Sequence, residues 1–142
     1  MKTPTAEKAV LFPTDEAALE ALYDVNVPCR GACPVATDIP GYIEAVLVGD
    51  YDKAWEINRR DNVFPGVLGR VCHRPCEAAC RHGREGLGEA VKICHLKRAA
   101  DDFASPAGED LPAYSGKTAC VIGSGPAGLT VANDLALRGV AV

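Results

Sequence analysis

Six of the chain's seven cysteines fall between Cys29 and Cys94, arranged as Cys29-x3-Cys33-Pro34, then Cys72-x3-Cys76-x3-Cys80, then Cys94. Thiolate is a soft ligand suited to iron–sulfur clusters and to zinc, and a multi-iron cluster is usually held by cysteines from more than one segment. Cys76 and Cys80 are four apart in a stretch of helical character, which puts their sulfurs on one side, while Pro75 lets Cys72 approach from the preceding loop. Pro34 directly after Cys33 matches the proline that follows a ligand in ferredoxin-type sites. Structural zinc favours Cys-x2-Cys pairs or mixtures with histidine, and no local pair here has that spacing. The cluster reading therefore leads, with a zinc-stabilised interaction module as its alternative. His73, His82 and His95 adjoin or nearly adjoin cysteines, but such residues are more often solvated or hydrogen-bonded than ligating. A thiol–disulfide redox protein is disfavoured by the missing Cys-x2-Cys.

The second constellation is Gly123-Ser124-Gly125-Pro126-Ala127-Gly128, a G-x-G-x-x-G turn between an apolar KTACVI strand and a helical LTVANDLALRG. That context makes the motif a dinucleotide fingerprint. Gly123 permits the tight turn, Gly125 lets a pyrophosphate approach the backbone, and Gly128 allows close helix–strand packing. Pro126 suits the first helical turn, and the helix N-terminus offers amides and the positive end of its dipole to phosphates. Cys120, inside the expected strand, reads as a small buried hydrophobe.

The elements that must carry these residues follow from pattern and punctuation. Residues 14–24 have a helical pattern with Thr14 as N-cap. Cys29 to Pro34, punctuated by Pro28, Gly31 and Pro34, reads as a loop. Asp38 is placed to cap a helix over IPGYIEAVLVG, and DYDKAWEINRR reads as a second one with Tyr51, Ala54, Trp55 and Ile57 on an apolar side. Pro65, Gly66 and Gly69 break the pattern. A short helix is expected from Pro75 through Cys80 and a longer one from Ala90 to Ala104. Residues 1–104 thus form an α-helical domain, residues 105–116 a linker, and residues 117–142 the start of a Rossmann-like α/β domain as β-turn-α-β, with Gly139 as C-cap.

Composition agrees with a folded protein: 48% of the 142 residues are hydrophobic and 24% charged. No run has the roughly 18–20 apolar residues of a membrane helix, and the first residues lack the apolar stretch of a signal peptide, so the expected compartment is the cytoplasm. In that reducing setting clustered cysteines more often bind metal or do redox chemistry than form disulfides. The net charge of -4 hides a basic stretch, Arg70, Arg74, Arg81, Arg84, Lys92, Lys97 and Arg98 against Glu77, Glu85 and Glu89. No aromatic interleaving accompanies it, which argues against nucleic acid. Cations beside a negatively charged thiolate-ligated cluster would stabilise its reduced form.

Cys33-Pro34 with the helix around Ile39, the stretch NVFPGVLGRVCHRPCEAAC from Asn62 to Cys80, and VKICHLKR from Val91 to Arg98 resemble the N-terminal iron–sulfur domain of the glutamate synthase small subunit and of dihydropyrimidine dehydrogenase. The resemblance covers residues 26–100 and resumes at the glycine turn, whose Gly-Pro-Ala-Gly-Leu form resembles FAD sites more than NAD sites. It implies an NAD(P)H-linked, FAD-containing oxidoreductase in which [4Fe–4S] clusters relay electrons to a partner subunit or domain. The family domain binds two clusters. Cys33, Cys72 and Cys76 match three ligands of one, whose fourth is often a Gln or Glu at a place that falls near Lys97 here. An ammonium has no lone pair for iron, which makes Cys94, one turn earlier, the substitute. Cys29 and Cys80 match two ligands of the other cluster, but the upstream Cys-x2-Cys pair is absent around Ala21 and Asp24. Each all-cysteine cubane takes four thiolates, so the expectation is one [4Fe–4S] cluster on Cys33, Cys72, Cys76 and Cys94, with Cys29 and Cys80 as contenders. The acid that binds the ribose should follow the turn by about 20 residues, past Val142, so the chain reads as an N-terminal piece of a longer protein or a truncated gene product.

Overall fold

A computed structural model describes residues 15–106, 108 and 110–142. Among them the regular structure is helical: α1 (Glu16–Asn26), α2 (Pro28–Ala32), α3 (Ile39–Leu47), α4 (Tyr51–Asp61), α5 (Pro65–Val71), α6 (Pro75–Ala78), α7 (Arg81–Arg84), α8 (Ile93–Phe103) and α9 (Pro126–Ala136). Thr14, the expected first cap, lies outside the described residues. The Asp15 carboxylate accepts from the Ala18 amide at 2.8 Å.

Helices α3 and α4 start where their aspartates can take up free amides. Asp38 accepts from Gly41 N at 3.1 Å and Asp50 from Lys53 N at 3.0 Å. Both pack on α8, which also takes α5 along its length. The buried residues of α8 are Ile93, Cys94, Lys97 and Ala100, spaced so that one helical stripe faces the core. Tyr42 of α3 is fully buried and donates its hydroxyl to Ile93 O at 3.0 Å, tying α3 to the start of α8. Trp55 Nε1 on α4 donates to Asp101 Oδ1 at 3.1 Å near the other end.

Two expected breaks are helices. Pro28 opens α2, and Pro65 opens α5, where a missing amide costs nothing because first-turn amides lack intrahelical acceptors. Gly66 and Gly69 do not interrupt α5. They face α8, and a Cβ at Gly69 would come within 3.0 Å of both Arg98 N and Cys94 O. The glycines trade helix propensity for close approach of two backbones.

The C-terminal segment departs from expectation differently. The expected strands are extended backbone joined at one isolated parallel bridge, Thr118 to Ala141, with Ala119 N donating to Ala141 O at 2.8 Å and Ala141 N to Lys117 O at 3.0 Å. Two short parallel segments without further neighbours bury little apolar surface, which leaves Ile122 97% exposed. The turn and helix between them match expectation. Gly139 (φ +72°) closes α9 in a Schellman motif, its amide bonding Ala136 O at 2.9 Å and that of Val140 bonding Leu135 O at 3.0 Å. Arg59 of α4 donates to Asn133 Oδ1 of α9 at 3.1 Å, linking the two parts of the chain.

Candidate metal centre

The cysteines are delivered by the ends of short helices. Cys33 terminates α2, Cys72 terminates α5, Cys76 sits in α6, Cys80 precedes α7, and Cys94 is the second residue of α8. Arg74, between Cys72 and Pro75, takes the left-handed conformation at φ +63°, which reverses the chain so that α6 can follow α5 so closely. Its amide points at Cys72 Sγ at 3.4 Å. The N-terminus of α8 has no cap from its own Lys92, and Glu77 of α6 supplies one, its Oε1 accepting from Cys94 N at 2.9 Å. That contact fixes α6, carrying Cys76, against the helix carrying Cys94.

All seven cysteines are free thiols, with Cys76, Cys80 and Cys94 buried, Cys29, Cys33 and Cys72 half-buried and Cys120 exposed. The exposure of Cys120 corrects the reading of it as a buried hydrophobe: the segment around it has no sheet to cover it. Burial pushes the Cys94 thiol up to about 12, with Cys76 adding to the rise and Lys97 opposing it. Burial likewise raises Cys76, whose thiol feels Cys33, Lys97 and Cys94. At Cys33 burial is outweighed by hydrogen bonds from the Thr37 side chain and from the Thr37 and Val35 amides, helped by Lys97, and its thiol lies below its ordinary value. Burial raises Cys29, and its neighbours are Cys80 and Cys33. Cys76 thus feels Cys33 and Cys94, Cys94 also feels Cys72, Lys97 acts on Cys33, Cys76 and Cys94, and Cys29 feels both Cys80 and Cys33.

Among the described residues no three His, Cys, Asp or Glu side chains close to the spacing of a single metal ion. One tetrahedral zinc would hold its sulfurs about 3.8 Å apart, whereas a cubane of irons and sulfides occupies the space between its ligands. Cys33, Cys72, Cys76 and Cys94 supply four thiols, the number such a cluster takes. His73, His82 and His95 are exposed, and His82 Nδ1 lies 2.8 Å from Glu89 O.

Lys97 is the feature that spacing alone did not mark. It is 5% exposed, and a buried ammonium among thiols is stabilised only to the extent that those thiols carry negative charge. Its position three residues after Cys94, on the apolar stripe of α8, was the available signal. Five of the other six cations of the basic stretch make ordinary ion pairs, Arg70 and Arg98 with Asp102, Arg74 with Glu77, Arg81 with Glu85 and Lys92 with Glu89.

The family model for dihydropyrimidine dehydrogenase domain II, 4Fe-4S cluster, matches residues 6–109. The chain belongs to this family. It is 42% identical over 119 residues to the NADPH-Fe(3+) oxidoreductase subunit beta of Geobacter sulfurreducens, covering 80% of this chain and 17% of that protein. It is 38% identical over 143 residues to the NADP(+)-dependent formate dehydrogenase subunit beta of Moorella thermoacetica, covering 83% and 20%. With the glutamate synthase [NADPH] small chain of Azospirillum brasilense it shares 33% over 157 residues, 99% of this chain and 32% of that one. The chain therefore spans between a sixth and a third of the length of these relatives, which by name are NADP(H)-linked oxidoreductase subunits.

Around the glycine turn, Gly128 has no room for a side chain, since a Cβ would collide with Gly123 O, while Gly125 has no atom within 4 Å of where its Cβ would stand. Gly123 has φ +115°. The turn opens on a groove of about 530 Å³ lined by Val121, Gly123, Ser124, Gly128 and Leu129 among others. A tight turn, open space at the middle glycine and a helix N-terminus are what a pyrophosphate needs. No described helix is long and apolar enough to cross a membrane.

Proposed function

We propose that the chain is the electron-transfer portion of an NAD(P)H-linked, FAD-containing iron–sulfur oxidoreductase. Residues 1–104 form its helical iron–sulfur domain and residues 117–142 begin its Rossmann-like FAD-binding domain. Cys33, Cys72, Cys76 and Cys94 hold one [4Fe–4S] cluster, and Cys29 and Cys80 stand beside it. When bound, the cluster supplies single-electron steps between a flavin reduced by NAD(P)H and a partner subunit or domain. The residues Gly123, Ser124, Gly125, Pro126, Ala127 and Gly128 contact the pyrophosphate of FAD through backbone and helix terminus.

The observation that carries this reading is Lys97, buried on α8 one turn from Cys94 and acting electrostatically on the Cys33, Cys76 and Cys94 thiols. A lysine in that place opposes the charge of ligated thiolates and would be costly beside neutral, unligated thiols. The names of the relatives support the NADP(H) linkage and the subunit character.

Iron and sulfide analysis with EPR spectroscopy on anaerobically prepared protein tests the reading. About four irons and four sulfides per chain are expected, with absorbance near 400 nm. About eight irons would overturn the single cluster, and colourless protein holding zinc would overturn the electron-transfer function.

A further inference from the structure

Thr37 and Asn62 are 1% and 3% exposed, lie 25 residues apart in sequence, and meet beside Cys33. Asn62 Nδ2 donates to Thr37 Oγ1, and the same hydroxyl oxygen lies 3.5 Å from Cys33 Sγ. A hydroxyl has one hydrogen to give and two lone pairs to receive with. The amide of Asn62 occupies a lone pair, so the hydrogen is free to turn toward the sulfur. A cysteine bound to iron is a thiolate without a hydrogen of its own, which leaves Thr37 as the only possible donor of the pair.

Resting on the ligand assignment above, we infer that Thr37, held in place by Asn62, donates its hydroxyl hydrogen to the Cys33 thiolate and thereby raises the reduction potential of the cluster. A donor at a ligand sulfur withdraws electron density from it, and it does so more effectively in the reduced, more negative state, which it therefore favours. The arrangement is built for constancy. Thr37 is held by the loop that turns at Ala36 (φ +47°) and by its amide, which also points to Cys33. Asn62 caps the end of α4, where its own amide bonds Asn58 O at 2.8 Å. The hydroxyl is thus positioned by two elements and sealed from water, which would otherwise compete for it. Thr37 is a positioning and tuning residue and binds no iron.

The test is the midpoint potential of the reconstituted full chain, followed by EPR during redox titration, for wild type, Thr37→Val, Thr37→Ser and the double variant Thr37→Val with Asn62→Leu. Valine keeps the shape and loses the donor. The double variant also removes the amide that Thr37→Val would leave without its acceptor, so it stays informative should the single variant fold poorly. At the wild-type midpoint, the ratio of reduced to oxidised cluster should fall about fivefold in Thr37→Val and in the double variant. It should return to near wild type in Thr37→Ser. Equal potentials in all four loaded proteins would overturn the inference while leaving the cluster in place. A wild-type chain that takes up no iron and sulfide would overturn the ligand assignment and this inference together.

Discussion

Gly69 of α5 lies directly against Cys94 of α8: a Cβ on Gly69 would stand 3.0 Å from the Cys94 carbonyl oxygen and 3.0 Å from the Arg98 amide nitrogen. Both neighbours are backbone atoms of the helix that carries a proposed ligand, so neither can swing aside as a side chain would. Gly69→Ala should therefore push α5 and α8 apart, costing about 1–3 kcal/mol of stability. Cluster content after reconstitution should fall with it, because the displaced backbone is that of Cys94. A wild-type melting temperature and iron content in Gly69→Ala would show that the two helices can separate freely.

The cap that Glu77 provides to α8 predicts a graded response. In Glu77→Gln a side-chain carbonyl still accepts from Cys94 N, so stability should change little. Glu77→Ala leaves the amide without its acceptor and should cost about 1 kcal/mol, as loss of an N-cap does. Chemical denaturation of the two variants separates these outcomes, and an equal loss in both would assign the effect to the ion pair with Arg74 rather than to the cap.

Ala36 holds a left-handed conformation (φ +47°) on an exposed loop between Cys33 and Thr37. A non-glycine residue there bears a cost of roughly 1–2 kcal/mol, and glycine would recover it less about 0.4–1 kcal/mol for its freer unfolded chain. Ala36→Gly should stabilise the protein by about 0.5–1 kcal/mol without altering the cluster. A lowered melting temperature would mean that the methyl group does something beyond what this backbone describes.

Where the fold was legible in the sequence, the information was local. Asp38 and Asp50 ahead of apolar periodic stretches marked α3 and α4, and Gly139 marked the end of α9, because caps act within a turn of the residues they serve. Misreadings arose where the reason was tertiary. Gly66 and Gly69 look like helix breakers until α8 is laid against them, while the expected strands around Thr118 and Ala141 meet at one parallel bridge. The six clustered cysteines stood out as a set because they recur at close, regular spacing between Cys29 and Cys94. The burial of Lys97 and the Thr37–Asn62 pair did not, since a lysine is ordinarily a surface residue and the two halves of the pair are 25 residues apart.

The fourth ligand admits a decisive test because Cys94 and Lys97 lie one turn apart on the same buried stripe of α8. The family resemblance implies a Gln or Glu ligand near the position of Lys97, and here that place carries an ammonium that cannot bind iron. Cys94→Ser should lower iron content well below that of Cys120→Ser, whose thiol is exposed on the far part of the chain. Adding Lys97→Glu to Cys94→Ser should then restore iron binding, since a carboxylate is put where the family resemblance implies a ligand. The recovered cluster should titrate at a more negative potential than the wild type, because the buried cation has been lost and a hard oxygen ligand gained. Iron analysis and EPR-monitored titration of the three variants measure both effects. Full iron content in Cys94→Ser alone would move the fourth ligand to Cys29 or Cys80, the pair that stands beside the proposed site.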